Sequence, residues 1–513
     1  MKFRKQYIAS DRPIEGLEDD FLEEKIGALR VYRHGELDCF RAEAKIKAAG
    51  AAGGSGRIEL LALGFMIDPR RPEAENDEIL KGLAAEAADG SGGYQGFSRL
   101  MEALQEISGR YAVFYEGSDG RYVINDACAL RSVYYTRDGR LFICSAERLF
   151  LEVIGGDLQI APEKRRYIES RAFEWDEHSW MGDDGHDDRL GKLTPNHYLD
   201  IGRRTVERTP LFFPDLKNDG EVISYVKVRL EGSLDAACRR WKPMIGVTAG
   251  TDTRLLVAAS KKFARDIQFY TFAGRPDADS PDIYISRELS GRLGIDWELL
   301  VTEPLREDFL RVYEAEHTFP RRLPKTRRIQ YLYDHHRDDG SLVINGNCTE
   351  IARTNYGTVK FSTPGAMADV IGYPWQPYVL RKCREWLDDT EDFVRQYGIP
   401  RADLIYWEMR MGNWHALHAH EQDIAAEEFS PFNHKGIILA LLSVDVRRRL
   451  PPDYPFFHDL IAAMWPECLD VEINPDNTLK KKLVHEFITF FKRRPRPLYW
   501  MYRLRKFAPF KLW

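Results

Sequence analysis

Residues 248–253, Thr-Ala-Gly-Thr-Asp-Thr, combine small side chains, hydroxyls and one carboxylate in a spacing that suits phosphate chemistry. They follow an apolar run and precede a segment with a helical pattern, so the sequence predicts a strand, a tight turn and a helix. Such a turn presents free backbone N–H groups and the positive end of the helix dipole to a phosphate. The small Ala249 and Gly250 let the backbone approach phosphate oxygens closely, and the threonine hydroxyls add donors. Asp252 would repel a phosphate, so its predicted role is to hold Mg²⁺ between protein and phosphate.

A structural role is the alternative for this segment, because Thr and Asp also serve as ordinary helix caps. Its placement directly after a predicted strand favours the binding role. The segment matches neither the GxGxxG of dinucleotide-binding proteins nor the GxxxxGK[ST] of P-loop kinases, so both of those classes are disfavoured.

The elements that must position this turn are predicted from the pattern of the chain. Between residues 109 and 154, short β-rich runs separated by Gly/Asp turns predict antiparallel hairpins. From about residue 220, strands alternate with helices, which predicts a parallel, doubly wound sheet. Ligands bind beyond the carboxyl ends of the strands in such a sheet, where residues 248–253 fall. From residue 375 to about 492 the pattern is mostly helical, and a polar run at 217–220 marks the expected domain boundary.

The turn resembles the Ser-Gly-Gly-x-Asp-Ser pyrophosphate loop of asparagine synthetase and its relatives, the N-type ATP pyrophosphatases. Residues 346–350 (Gly-Asn-Cys-Thr-Glu) and Tyr356 resemble the family's Gly-Glu-Gly-x-Asp and the Tyr that follows it. Further segments resemble the synthetase and glutaminase domains of the same family in the same order. They are residues 269–272, 280–282 and 430–434 for the synthetase domain, and 109–113, 129–135 and 193–198 for the glutaminase domain.

The resemblance implies a division of the chain into two domains and a tail. Residues 1–215 are expected to form an α+β N-terminal domain, an antiparallel sandwich like that of class II glutamine amidotransferases. Residues 218–490 are expected to form an α/β doubly wound parallel-sheet synthetase domain with a helical C-terminal part. Residues 491–513 form a basic, aromatic C-terminal tail.

The resemblance also implies roles for individual residues. Asp252 and Glu350 are the implied Mg²⁺ ligands and catalytic carboxylates, with Arg353 and Tyr454 as further catalytic candidates. The implied contacts to ATP and pyrophosphate are Val247, Thr248, Ala249, Gly250, Thr251, Asp252, Thr253, Thr271, Asn345 and Gly346.

The chain departs from the family at two places in the synthetase half. Asn347 stands where the family has Glu, and Tyr454 stands near the position of the family's Lys. Arg254 and Arg353 are nearby cations that could supply the missing charge. The run at 480–482, three lysines, is predicted to be a solvated charge run.

A third departure concerns glutamine hydrolysis. A class II glutaminase needs Cys at position 2, whereas this chain begins Met1-Lys2 and has Cys39 as its first cysteine. The N-terminal domain is therefore expected to be an inactive glutaminase, a loss that also occurs in β-lactam synthetase and lasso-peptide cyclases. The seven cysteines are scattered and contain no CxxC pair, which favours a reducing, cytoplasmic setting over disulfides or zinc.

Composition limits the remaining classes. The 513 residues include 74 Lys+Arg and 80 Asp+Glu, a formal charge of −6, with 44% hydrophobic residues. These values are typical of soluble globular proteins and disfavour disorder and nucleic-acid binding. No apolar run of ~18 residues occurs, so no membrane span is expected. The tail at 491–513 is a candidate for contact with a membrane surface or a partner, with a packed arm as the alternative, and a homodimer is an open alternative to a monomer.

Two further clusters give weaker signals. His415 and His418 share one face of a predicted helix over 408–423, where a polar pocket is favoured over a zinc site. The same helix is a candidate wall of the acceptor-substrate pocket. The acidic run at 183–188 resembles a metal loop in composition only and is predicted to be a solvated loop.

These observations predict an ATP-dependent amide-forming ligase, with ATP and Mg²⁺ as cofactors and a role in biosynthesis. It would adenylate a small-molecule or peptide carboxylate, release pyrophosphate and let an amine or ammonia displace AMP, without hydrolysing glutamine. Two alternatives stay open: a degenerate relative that serves as a binding or scaffold subunit, and an adenylating enzyme that uses a non-amine nucleophile.

Overall fold

The computed structural model describes residues 2–17, 20–45, 57–89, 96–170, 173–174, 177–178, 180–278, 280–323 and 325–475. The lysine run at 480–482 and the tail at 491–513 lie outside the described residues. None of the helices within the described ranges combines the length and the apolar composition that a bilayer crossing requires. The expected cytoplasmic location and the homodimer stay predictions.

The first half of the chain forms two six-stranded sheets in which every neighbouring pair is antiparallel. The strands are β1 (Tyr7–Ser10), β2 (Phe21–Ile26), β3 (Leu29–His34), β4 (Cys39–Lys45), β5 (Arg57–Ile67), β6 (Ser108–Gly117), β7 (Gly120–Asn125), β8 (Tyr134–Thr136), β9 (Phe142–Cys144), β10 (Leu190–Lys192), β11 (His197–Asp200) and β12 (Thr205–Arg208). Their order is β10-β8-β9-β1-β3-β2 in one sheet and β12-β11-β7-β6-β5-β4 in the other.

Strand β5, second from the edge of its sheet, is buried on both faces, since successive side chains point to opposite sides and all but that of Arg57 are buried. Leu61 and Leu63 pack toward the other sheet, and Leu60 and Ala62 pack toward two helices. The helices of this half are Asn76–Ala88, Gly96–Leu104, Glu147–Ile154 and Pro162–Ile168. The predicted antiparallel α+β arrangement is confirmed, whereas its likeness to a glutamine amidotransferase stays a prediction.

The second half contains a five-stranded sheet whose neighbouring strands are all parallel. The strands are β13 (Lys242–Gly246), β14 (Gln268–Ala273), β15 (Trp297–Val301), β16 (Ser341–Ile344) and β17 (Glu427–Phe429). Their order is β15-β14-β13-β16-β17, so the direction of winding reverses between β13 and β16. Sheets of this kind bind ligands at that reversal, beyond the carboxyl ends of the strands. The predicted parallel sheet is confirmed.

Helices connect these strands and make up most of the C-terminal part. Their bounds are Asp219–Arg240, Thr251–Ala259, Pro281–Leu293, Glu307–Glu316, Thr326–His335, Pro364–Ile371, Pro377–Tyr397, Arg401–Ile405, Ala416–Gln422, Lys435–Ser443 and Pro455–Met464, with a π-helix at Tyr406–His415 and 3₁₀ turns at Thr349–Ile351, Val446–Arg448 and Pro466–Leu469. The mostly helical prediction for this region missed β17, because three residues are too few to show a strand pattern.

The boundary predicted at residues 217–220 falls at the start of the helix Asp219–Arg240, where antiparallel sheets give way to the parallel sheet. The largest hydrophobic cluster nevertheless crosses this point. Its members from the two sides include Phe65, Leu130, Met181, Ile245, Leu256 and Phe457. The two halves therefore share one core, and the division into domains 1–215 and 218–490 stays a prediction.

Candidate functional site

The segment 248–253, called the phosphate turn below, leads from β13 into the helix Thr251–Ala259 as the sequence predicts. Gly250 is the N-cap of this helix and has no side chain to accept from the first helical N–H groups. Those N–H groups have no acceptor within the helix itself. A phosphate suits them, because the helix dipole adds positive potential at the same point.

Two threonine hydroxyls hold the phosphate turn closed. The Thr248 N–H donates to Thr253 Oγ1 at 3.1 Å, the two hydroxyl oxygens lie 2.9 Å apart, and the Gly250 N–H donates to Thr248 Oγ1 at 3.2 Å. The Ala249 N–H donates to Asp282 Oδ1 at 3.0 Å. Ala249 has no positive φ, so its methyl group is accommodated where the family has Gly. Thr248 and Thr253 thus shape the turn, a role that the sequence did not indicate.

The loop after β16 lies directly against the phosphate turn. The Asn345 N–H donates to Phe429 O at 3.0 Å, and Asn345 Oδ1 accepts from the Asn347 N–H at 3.1 Å. A Cβ at Gly346 would stand 2.7 Å from the backbone of Asp252, so only glycine permits this approach. The structure therefore brings Asn345 and Gly346 to the turn at the reversal point of the sheet.

Asp252, Glu350, Arg353 and Tyr454 lie together beside the phosphate turn. Arg353 Nη2 donates to Asp252 Oδ2 at 2.6 Å, and the Thr349 hydroxyl donates to Asp252 Oδ1. The Arg353 guanidinium lies over the Tyr454 ring, 5.3 Å from its centroid. Glu350 Oε2 is buried and has no hydrogen-bond partner within the described part of the chain. Burial and the Asp252 charge raise the pKa of Glu350 to about 7, against the opposing effect of Arg353.

The donor chemistry of Asp252 and Glu350 fits Mg²⁺, which prefers carboxylate oxygens and retains several waters. Two adjacent carboxylates repel each other unless a cation lies between them, and the unpartnered Glu350 Oε2 is a free acceptor for one. In the described ranges, no group of three or more His, Cys, Asp or Glu side chains is arranged to hold a metal. A Mg²⁺ ion here would therefore take its other ligands from phosphate and water.

Val247 and Thr271, two of the implied contacts to ATP, are joined by a hydrogen bond. Thr271 Oγ1 donates to Val247 O at 2.7 Å and accepts from Trp297 Nε1 at 3.0 Å. The hydroxyl proton of Thr271 is thus used within the protein, and Thr271 lies opposite Leu299 in the pairing of β14 with β15. Sequence reasoning missed Trp297, because no local pattern indicates that the indole of this residue on the neighbouring strand contacts Thr271.

His415, which the sequence assigns to a polar pocket, forms a buried pair with Glu428, a partner that sequence reasoning missed. His415 Nε2 lies 2.6 Å from Glu428 Oε1 and 3.1 Å from the side-chain amide of Asn347. Burial lowers the pKa of His415, but contacts with Cys348 and with the Glu428 carboxylate outweigh burial and raise that pKa to about 10. Burial raises the pKa of Glu428, but His418 and His415 outweigh it and lower that pKa to about 2. The pair supports Asn347 in the loop after β16.

His418 contacts the same carboxylate. Its Nε2 lies 3.7 Å from Glu428 Oε2, and burial lowers the pKa of His418 to about 4. His415 and His418 thus face one acidic partner, an arrangement that fits the favoured polar pocket.

Arg254 has a different role from the one the sequence suggests. Its guanidinium is fully buried and donates to the carbonyls of Cys468 and Val471 at 2.5 and 2.8 Å. Arg254 therefore ties the last described segment of the chain to the helix Thr251–Ala259. Arg353 is left as the cation beside Asp252.

The acidic run at 183–188 is largely buried, so the prediction of a solvated loop is wrong. Lys382 Nζ lies 3.1 Å from Asp184 Oδ1, and Arg189 Nη2 lies 2.7 Å from Asp187 Oδ2. Burial of these carboxylates depends on their basic partners. Lys382 is distant from them in sequence, so local composition could not predict this burial.

All seven cysteines are free thiols. Cys39, the first of them, lies in β4, and burial raises the pKa of its thiol to about 11. A thiol with a raised pKa is a poor nucleophile at neutral pH. Strand β1 begins at Tyr7, whose side chain is buried and whose hydroxyl donates to Ser132 O at 3.1 Å.

No family model matches the chain, and no curated protein matches it. Solved structures with partial similarity include NMN synthetase from Francisella tularensis, which is 13% identical over 40% of this chain and 97% of that one, with a TM-score of 0.23. Glutamine PRPP amidotransferase from B. subtilis, complexed with ADP and GMP, is 12% identical over 64% of this chain and 63% of that one, with a TM-score of 0.21.

Glutamine-dependent NAD+ synthetase from Acinetobacter baumannii, in complex with ADP, is 11% identical over 47% of this chain and 62% of that one, with a TM-score of 0.19. The chain thus spans less than two thirds of the amidotransferase and of this synthetase. At such TM-scores none of these similarities assigns an activity to the chain. The resemblance to the asparagine synthetase family accordingly rests on the sequence motifs.

Proposed function

We propose that the chain is an ATP-dependent amide-forming ligase that works through an acyl-adenylate. A substrate carboxylate attacks the α-phosphate of ATP, the bond from that phosphorus to the bridging oxygen breaks, and pyrophosphate leaves. An amine or ammonia then attacks the acyl carbon, loses a proton and displaces AMP. The observation that carries the proposal is the uncapped phosphate turn at the reversal point of the parallel sheet, with Asp252 and Glu350 beside it.

Each part of the site has a role in this reaction. Backbone N–H groups at the start of the helix Thr251–Ala259 would hold the pyrophosphate as its charge develops. Asp252 and Glu350 would hold Mg²⁺, which neutralises charge on the leaving pyrophosphate. Arg353, stacked on Tyr454, would supply the positive charge that the family obtains from its Lys.

We propose further that the amine does not come from glutamine hydrolysis by this chain. The support is the buried thiol of Cys39, whose raised pKa makes it a poor nucleophile at neutral pH. The test is an assay for glutamate released from glutamine during amide formation. Glutamate release in step with AMP formation would overturn this part of the proposal.

A second candidate is a catalytically degenerate relative that binds a nucleotide or a partner without turnover. The ion pair between Arg353 and Asp252 favours it, because Arg353 occupies one oxygen of a carboxylate that the ligase would use for Mg²⁺. The ligase needs this pair to open when ATP and Mg²⁺ bind, whereas the degenerate relative does not.

ATP–pyrophosphate exchange with a panel of carboxylates separates the two candidates. The ligase should incorporate labelled pyrophosphate into ATP only with its own carboxylate, and Asp252→Asn should lower the exchange rate by about 100-fold or more. The matched control is Asp296→Asn, an exposed carboxylate before β15, which should leave exchange unchanged. Failure of the wild-type chain to exchange with any carboxylate and to bind ATP with Mg²⁺ in calorimetry would refute the ligase.

A further inference from the structure

The π-helix Tyr406–His415, called the bridge helix below, connects the two halves of the molecule. Two of its side chains face the loop after β16. The Tyr406 ring lies 5.1 Å from the Tyr356 ring, and His415 Nε2 lies 3.1 Å from the amide of Asn347. The bridge helix therefore forms one wall of the candidate site.

Other side chains of the bridge helix are held by the antiparallel half. Trp407 Nε1 donates to Ala127 O at 2.8 Å. Arg208, at the end of β12, donates to both oxygens of Glu408 at 2.8 and 3.1 Å. Lys192, at the end of β10, donates to Gly412 O at 2.7 Å and to the Asn413 side chain at 3.1 Å. These contacts run along almost the whole length of the helix.

The π geometry of the bridge helix indicates that these contacts are needed to stabilise it. A π-helix is rare, is normally a single turn, and occurs frequently at functional sites. The bridge helix spans 10 residues, so contacts outside the helix must stabilise it. Lys192 is buried, and burial of an ammonium is costly unless every proton has an acceptor. Both acceptors of Lys192 lie in the bridge helix, and its third neighbour is the Tyr134 ring at 5.5 Å.

We propose that Lys192 and Arg208 are positioning residues, which hold the bridge helix so that Tyr406 and His415 keep the loop after β16 against the phosphate turn. The antiparallel half thereby stabilises one wall of the candidate site. The inference rests on the proposed function for its catalytic meaning. Its structural part, that Lys192 holds the bridge helix, does not depend on which reaction occurs.

The test compares Lys192→Met with Lys164→Met in the full-length chain. Lys164 is a matched control, because it is also a buried lysine of the antiparallel half but donates to Gly185 O at 3.0 Å and pairs with Asp188. Hydrogen exchange of the amides at 406–415 and 345–351 is measured first. Steady-state ATP–pyrophosphate exchange is then measured, with KM for ATP and kcat determined separately.

The proposal predicts that Lys192→Met speeds exchange at 406–415 and 345–351 by about tenfold, since a charged donor to two acceptors is lost. It also predicts a fall in kcat of about tenfold to a hundredfold with KM for ATP unchanged, because a wall of the site moves while the phosphate turn does not. Lys164→Met should show neither effect. Arg208→Gln serves as the second variant if Lys192→Met does not fold, with the same expected pattern.

Unchanged protection of 406–415 in Lys192→Met, or equal loss of protection in Lys164→Met, would overturn the inference. A wild-type chain without pyrophosphate exchange would refute the proposed function alone, and hydrogen exchange would then decide the positioning role by itself.

Discussion

Replacing Glu428 with Gln tests whether the buried pair with His415 is ionised, because the change keeps the shape and removes the charge. The lowering of the Glu428 pKa from 4.5 to about 2 corresponds to about 3 kcal/mol of stabilisation. The rise of the His415 pKa from 6.5 to about 10 corresponds to about 5 kcal/mol. Both values are upper limits at neutral pH. Part of the His415 shift requires a Cys348 thiolate, and burial raises the pKa of that thiol. Part of the Glu428 shift requires a charged His418, and burial lowers the pKa of His418 to about 4.

Each partner sets one limit of the pH range in which the ionised pair stabilises the fold. The Glu428 pKa is lowered, so its contribution is present above 4.5 and is lost as the pH falls through about 2. The His415 pKa is raised, so its contribution is complete below 6.5 and is lost as the pH rises through about 10. We therefore expect Glu428→Gln to lower the free energy of unfolding by at most about 3 kcal/mol at pH ~6 and by progressively less toward pH ~10.

Urea unfolding followed by tryptophan fluorescence at pH ~6, ~8 and ~10 measures this difference. The matched control is Glu288→Gln, whose carboxylate is exposed and pairs with Arg292 at 2.9 Å within one helix. The control should change the free energy of unfolding by no more than ~0.5 kcal/mol at any pH. A Glu428→Gln protein that matches the control at pH ~6, or a loss that grows with pH, would refute an ionised pair.

Three further substitutions test other contacts. Gly346→Ala places a Cβ 2.7 Å from the backbone of the phosphate turn, so pyrophosphate exchange should fall by about 100-fold, whereas Gly291→Ala, with nothing within 4 Å of the added carbon, should leave it unchanged. Trp297→Phe removes the donor to Thr271, so KM for ATP should rise about fivefold with kcat unchanged, and an unchanged KM would contradict a nucleotide site there. Arg254→Met leaves two buried carbonyls without donors, so the free energy of unfolding should fall by about 2–3 kcal/mol in urea titrations; a loss below ~0.5 kcal/mol would contradict the clamp role.

The strand, turn and helix around Gly250 could be predicted from the sequence, because an apolar run, a glycine and a helical pattern are local signals. The parallel sheet followed from the alternation of strands and helices for the same reason. Strand β17 could not be predicted, since its three residues include two glutamates that are read as exposed. Glu427 is partly buried, and Arg131 and Arg110 donate to it at 2.8 and 3.1 Å from the other half of the chain.

Part of the candidate site could likewise be predicted from the sequence, and part of it could not. The residues at 248–253 and 345–350 follow strand ends, and topology alone brings strand ends together. The residues that stabilise the site from outside it, such as Lys192 and Glu428, lie at positions that no local pattern links to it. The π geometry of the bridge helix could not be predicted either. Its residue types do not distinguish a π-helix from an α-helix, because the difference lies in the contacts that stabilise the helix.

The hydrophobic cluster that crosses residues 217–220 makes the molecule one cooperative unit of stability, although its sheets are of two kinds. Heating should produce a single calorimetric transition, because unfolding of either half would expose the shared hydrophobic cluster of the other half to water. A fragment cut at that boundary would expose Phe65, Leu130 and Met181 to water and should aggregate. The two halves are thus not modules that can be recombined with those of another protein, and any exchange between relatives must carry this shared interior with it.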